Sequence, residues 1–305
     1  MIESTSQIKK AILKTISYSD VFDYPLTKDE IWRFLINDSS ENLVFHPKGV
    51  RLSVRLEMEL SNLTHFIVKK DGFYCLRNRG DIVSKRLKKE KESNEKFRLA
   101  KKIISRLSYI PTVQVIGISG ALSMKNSQKD DDIDLFIIAK KHTLWLTRLL
   151  LIIFLKILGK HRGRNDKDIK DKFCLNFLID EDAILLPKEM QNLYGAHELA
   201  QLMPVFNRGN TYQKFVAVNS WVRKFLPNAL ERGTTQIAAR NHAECPVLRF
   251  WAFEALAKKI QLRSIKKHRT KEIISDHLLA FHPLDYKDKV LSAYKKRLDR
   301  LTRGH

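Results

Sequence analysis

The chain has 305 residues, 44% of them hydrophobic and 30% charged, which excludes a disordered protein and leaves room for two or three folded domains. Lys and Arg number 56 against 34 Asp and Glu, and the resulting formal charge of +22 favours polyanionic partners: nucleic acid, nucleotides or an anionic membrane surface. Cys75, Cys174 and Cys245 lie far apart with no CxxC or paired-His spacing, which argues against zinc and disulfide frameworks and suits a reducing cytosol.

Residues 1–80 read as a winged-helix-like unit. Its opening, MIESTSQIKKAILK, lacks an apolar signal core with a cleavage site, so a cytoplasmic protein is expected. Ile8, Ile12 and Ile16 recur at helical spacing. After Pro25, the run Thr27-Lys28-Asp29-Glu30 reads as a capping box that opens a second helix with Ile31, Phe34 and Leu35 inward. Leu52, Leu56, Leu60 and Leu63 mark a third. Two apolar runs, His65 to Val68 and Phe73 to Leu76, joined through Lys70-Asp71-Gly72, predict a hairpin that supplies the wing.

Residues 81–110 form a basic connector helix, with ten Lys/Arg and three Glu between Lys85 and Arg106. Its first reading is a solvated helix and its second a nucleic-acid surface. Residues 111–187 read as an α/β domain. Thr112 to Ile118, Ile133 to Ala139 and Phe173 to Ile179 are the expected strands. Between the last two lies the apolar stretch Thr143 to Leu158, interrupted by Arg148 and Lys156 and short of the ~20 residues that a membrane-spanning helix requires. It is read as a buried helix, and no membrane span is expected. Residues 188–305 read as a helical domain, with segments beginning near Gln191, Thr211, Val247 and Tyr286 and a second basic run from Lys258 to Lys271. His197 and Glu198 fall on one of these helices and are read as surface or core residues.

The chemistry concentrates at residues 119–134. In a strand, positions i and i+2 share a side, so Asp132 and Asp134 project together while Ile133 faces the opposite, apolar side. Two close carboxylates repel one another unless a cation relieves the repulsion. Hard oxygen ligands beside a phosphate site suit Mg²⁺ or Mn²⁺. Twelve positions upstream of Asp132, Gly120 permits close backbone approach, and the N–H groups that follow it are suited to phosphate oxygens. Ser119 and Ser123 offer hydroxyls, Lys125 and Lys129 offer positive charge, and Arg148 divides between a salt-bridge role and a triphosphate contact.

The segment GISGALSMKNSQKDDDIDLFII resembles the polymerase-beta-type nucleotidyltransferase signature, a Gly-Ser turn followed about a dozen positions later by hydrophobic-Asp-hydrophobic-Asp. The likeness covers residues 111 to about 180, and the whole chain is similar to bacterial proteins that carry such a domain. It implies a mixed sheet flanked by helices, metal ligation by Asp132 and Asp134, and transfer of a nucleoside monophosphate from a nucleoside triphosphate to an acceptor. It departs from the family twice. The family's turn serine falls on Ala121, within the expected nucleotide-binding turn. The third carboxylate of the family falls on Asn176, so either Asn176 or Asp180, which shares its face by strand parity, is expected to complete the catalytic set, with Asp171 a further substitute. The rival expectation is a weak or inactive nucleotidyltransferase-fold regulator that binds RNA or DNA, or a toxin–antitoxin-type interaction protein with a helical partner.

Overall fold

The computed structural model describes residues 7–37, 51–163, 165–230, 238–239, 251–266, 273–281 and 283–303. Helices α1 (Gln7–Asp20), α2 (Lys28–Arg33) and α3 (Arg51–Ser61) accompany a small antiparallel sheet of β1 (Leu26–Thr27), β2 (Ile67–Lys70) and β3 (Phe73–Leu76) in the order β1-β3-β2. The capping box is present. Thr27 Oγ1 accepts from Glu30 N at 3.2 Å, and Glu30 Oε2 accepts from Thr27 N at 2.8 Å. Asp71 (φ 49°) and Gly72 (φ 80°) make the two-residue turn of the hairpin, the left-handed pair such a turn requires. The first strand lies slightly later than expected, because Ile67 is its one buried position and the ladder runs on to Lys70 opposite Phe73. Ile8, Ile12, Ile16, Ile31, Leu56, Leu60 and Leu63 close one core beneath this sheet.

Glu30 ties this unit to the long helix α4 (Ile82–Leu107). The buried Arg86 donates to both of its carboxylate oxygens, at 2.8 and 2.7 Å, and lies 4.0 Å from the Tyr24 ring centre. Burial alone would raise the Glu30 pKa. The hydrogen bonds and charge of Arg86, with the bonds from Thr27 N and Tyr24, together outweigh it and hold the carboxyl below its ordinary range.

The centre is a mixed seven-stranded sheet in the order β8-β7-β4-β5-β6-β10-β9. Its strands are β4 (Val113–Ile118), β5 (Ile133–Ala139), β6 (Phe173–Asp180), β7 (Met203–Asn207), β8 (Ala238–Ala239), β9 (Ile273–Ile274) and β10 (Leu278–Ala280), and only β5–β6 and β7–β8 are parallel. Ile133, Leu135 and Ile137 point into a core shared with α4 and with α6 (Leu144–Ile157), which follows the one-turn helix α5 (Gly120–Ser123). Phe136 and Ile138 point into a second core formed with α7 (Leu193–Gln201), α8 (Thr211–Val218) and α10 (Pro283–Arg303). Helix α9 (Trp251–Lys266) packs on α6, where Glu254 accepts from the backbone N–H groups of Trp145 and Leu146.

Residues 188–305 therefore do not form a separate helical domain. Four strands from this segment complete the central sheet, and three of them span only two or three residues, too short to show a period of two. No helix among the described residues is long and apolar enough to cross a membrane. Cys245, the helix start near Val247, the side chain of Leu52 and the Lys267 to Lys271 end of the basic run lie outside the described residues.

His197 on α7 is buried, stacked on Tyr18 of α1 at a centroid distance of 3.9 Å, and its Nε2 has no hydrogen-bond partner. Burial pushes its pKa down to about 3, below the ordinary value of about 6.5. The folded state therefore holds a neutral ring while the unfolded chain takes up a proton below pH ~6.5. Stability should fall on acidification from pH 6.5 towards 3, by roughly 2 kcal/mol at pH 5 from this group. Urea melts of wild type and His197→Phe at pH 7.5 and 5 should show the larger acid loss in wild type. Parallel losses would assign the acid sensitivity elsewhere.

Candidate functional site

Strand β4 runs into the Ser119–Gly120 turn, and the antiparallel β5 returns beside it, with Ile118 opposite Leu135. Ser119 N donates to Asp134 O at 3.0 Å, which fixes the turn against the start of β5. Gly120 has φ +64°, and a Cβ added there would lie 2.6 Å from Asp134 Oδ2. Backbone and packing thus both require glycine here.

Asp132 and Asp134 share a side as alternation requires, and both are half-buried. Cys174, paired with Asp134 in the parallel β5–β6 ladder, joins them, and the three ligating atoms lie within 4.8 Å of one another. Burial, and then the charge of Asp132, push the Asp134 pKa up to about 7. Burial and the same two carboxylates push the Cys174 thiol up to about 12, so it stands as a neutral donor to Asp134. Arg162 Nη1 donates to Asp132 Oδ2 at 2.5 Å. Its backbone is anchored by Arg162 N to Phe173 O at 3.0 Å.

Next to the turn, where Ser119 and Phe136 meet α7, opens a cavity of about 110 Å³, lined also by Asn176, Tyr194, Glu198 and Lys287 among others. The Ser119 hydroxyl is buried without a protein partner. Glu198 comes from α7 and stays open to solvent on the cavity side. It sits deep enough that burial pushes its carboxyl up to about 7, against the hydrogen bond from Tyr194. It is electrostatically coupled to Asp134.

Asn176 reaches the same cavity because β6 is bulged. The register passes from Leu135–Leu175 directly to Phe136–Phe177 and leaves Asn176 without a partner across the ladder. The bulge overturns the parity that linked Asn176 with Asp180. Beyond it Ile179 joins the core of Phe136 and Ile138, so Asp180 points to the opposite face. Asp180 is also at the far end of the sheet, opposite Ala139, about 17 Å along β5 from Asp134. It is fully buried and bonded to His277, and it takes no part in this site.

Four more expected residues are redirected. Arg148 lies on the α6–α9 face, where it donates to Gln261 Oε1 at 2.6 Å and covers the Phe281 ring at 4.9 Å. Lys125 pairs with Glu90 at 3.3 Å, and the Ser123 hydroxyl donates to Gly120 O at 2.8 Å. Asp171 is held by the buried Lys96 at 2.8 Å. Ala121 is exposed on the turn. Arg162, Tyr194 and Glu198 were not singled out as site residues, because their proximity to Asp134 depends on long-range packing. No family model, curated protein or solved structure matches the chain.

Gly120→Ala should destabilise the fold by about 1–3 kcal/mol through the left-handed backbone, and more if Asp134 cannot move aside. Denaturant melts would read the loss. An unchanged midpoint would mean that the turn relaxes freely and does not fix Asp134.

Proposed function

We propose that the chain is a polymerase-beta-type nucleotidyltransferase that transfers a nucleoside monophosphate from a nucleoside triphosphate to an acceptor hydroxyl. The observation that carries this reading is the same-face pair Asp132 and Asp134 against the Gly120 turn, whose Ser119, with its hydroxyl unpartnered, lines the neighbouring cavity. In this reading α1–α3 with β1–β3 serve as a winged-helix unit. The two carboxylates and their raised Asp134 pKa fit a divalent cation, Mg²⁺ or Mn²⁺, which when bound neutralises triphosphate charge and polarises the α-phosphate. The bare Gly120 backbone lets the phosphates approach, and Ser119 Oγ donates to a phosphate oxygen. Arg162 holds Asp132 in place. Glu198, which no motif placed here, is the group suited to take the acceptor's proton. As that proton leaves, the new O–P bond forms and the bond to pyrophosphate breaks. Asn176, a neutral amide, orients a ligand and takes no proton.

Asp132→Asn with Asp134→Asn should abolish metal-dependent triphosphate binding measured by calorimetry. Unchanged binding in this double variant sinks the assignment of the pair. Glu198→Gln should leave that binding intact and slow transfer by about 10²–10⁴-fold. Transfer at the wild-type rate would place the base elsewhere.

One observation favours a second, nucleic-acid-binding role. Helix α4 exposes Lys85, Lys88, Lys91, Arg98, Lys102 and Arg106 along its outer side. Duplex DNA binding followed by fluorescence anisotropy should weaken with salt, with a slope in log K of about −0.9 per phosphate contacted. Binding that is absent at low salt, or indifferent to salt, removes this role.

A further inference from the structure

The end of the sheet away from the Asp132–Asp134 pair carries a second convergence of side chains. Asp180 closes β6, Asp182 lies in the turn after it, His142 lies in the turn between β5 and α6, and His277 lies in the turn between β9 and β10. The four come from three separate stretches of chain, yet their ligating atoms all lie within 4.8 Å of one another. We infer that these four residues form a binding site for a divalent transition-metal ion of the Zn²⁺ type, distinct from the Asp132–Asp134 site.

The donor set decides the class of ion. Two imidazoles and two carboxylates suit Zn²⁺, Co²⁺ or their neighbours, whereas Mg²⁺ prefers oxygen ligands and bound water. Tetrahedral ligands at about 2.0–2.1 Å from an ion stand roughly 3.4 Å apart. The observed pairs bracket that separation: His277 Nδ1 to Asp180 Oδ2 is 2.8 Å, and His142 Nδ1 to Asp182 Oδ2 is 3.5 Å. Small rotations of the three partly exposed members therefore suffice, around an Asp180 that cannot move.

Asp180 is held for this task. Its side chain is fully buried, Oδ1 accepts from Asp182 N at 3.0 Å, and Oδ2 accepts from His142 N at 3.3 Å. Those bonds fix the backbone of two other ligands relative to it. Lys141 Nζ takes Asp182 Oδ1 at 2.8 Å, which leaves Oδ2 directed at His142. This is the supporting layer by which metal sites orient their ligands. The bound ion would pin the β9–β10 hairpin, at the edge of the sheet, to the β5–α6 turn. Because α10 follows that hairpin, the clip also sets where the last helix begins.

The full-length protein, stripped of metal by a chelator and dialysed, would be titrated with Co²⁺ and read by its visible d–d absorption, then with Zn²⁺ in competition. The Asp132→Asn/Asp134→Asn variant should still bind one equivalent with the absorption of a nitrogen- and oxygen-ligated, four-coordinate ion. His142→Ala and His277→Ala, which remove half-exposed rings and keep Asp180 in place, should each weaken that binding at least ~100-fold with unchanged circular dichroism. If either His variant does not fold, His277→Gln, which keeps a hydrogen bond to Asp180, takes its place with the same expected loss. The proposal is overturned if the Asp132→Asn/Asp134→Asn variant binds no Co²⁺. It is equally overturned if the histidine variants bind as wild type does, since the cluster is then an ion-paired surface and nothing more.

Discussion

The period of two in β5 is the constraint from which the site follows. This strand is sandwiched between two cores, with Ile133, Leu135 and Ile137 committed to one and Phe136 and Ile138 to the other. Only the beginning of the second face, before Phe136, remains free of apolar packing. The two carboxylates occupy that stretch, Asp132 just before the strand and Asp134 within it. The same face passes from wet to dry within a few residues, and Asp134 sits at the transition. Its raised pKa expresses that position, since burial works against its charge and Asp132 adds to the effect.

A protein of net charge +22 must hold an acidic loop in place without drawing its own surface lysines into it. Two cations do this at close range. Lys96, almost fully buried on α4, donates to Asp131 O at 2.6 Å, to Lys129 O at 3.2 Å and to Asp171 at 2.8 Å. It thereby fixes the backbone on both sides of the loop while leaving Asp132 and Asp134 uncovered. Among the described residues, Arg162 is the cation bonded to Asp132. Exposed positive charge also lies on outer surfaces such as that of α4.

Much of this was legible along the chain where the cause is local. The capping box at Thr27 and Glu30, the Asp71-Gly72 turn and the limits of β5 depend on neighbours within a few residues, and each stands where the sequence puts it. Parity carried Asp132 and Asp134 to a common face, and it failed for Asp180 because one unpaired residue, Asn176, resets the alternation of β6. Nothing in FCLNFLID marks that bulge, since Phe173, Leu175, Phe177 and Ile179 read as one unbroken apolar phase with Asn176 and Asp180 together on the other. Glu198 was invisible as a site residue for another reason. Its helix shows an ordinary apolar stripe, and only the packing of α7 across β4 and β5 brings a polar position over the cavity. The short strands β9 and β10 have too few residues for any period to register.

The path of the chain explains why these long-range features belong to one body. β10 pairs with β6, and α10 then crosses back to the first helix, where Arg297 bonds Asp20 Oδ2 at 2.6 Å. Asp20 also receives Arg79 at 2.9 Å, so one buried carboxylate joins α1, the turn between β3 and α4, and α10. Tyr18, two residues earlier on α1, stacks on His197, the neighbour of Glu198. The N-terminal unit therefore touches the helix that supplies the cavity carboxylate, and the C-terminal helix locks that contact from outside. A shift of α1 could not leave α7 unmoved, because a stacked, fully buried ring pair has no slack. The buried stack of Tyr18 on His197 therefore joins the first helix to the helix that carries Glu198 by direct packing.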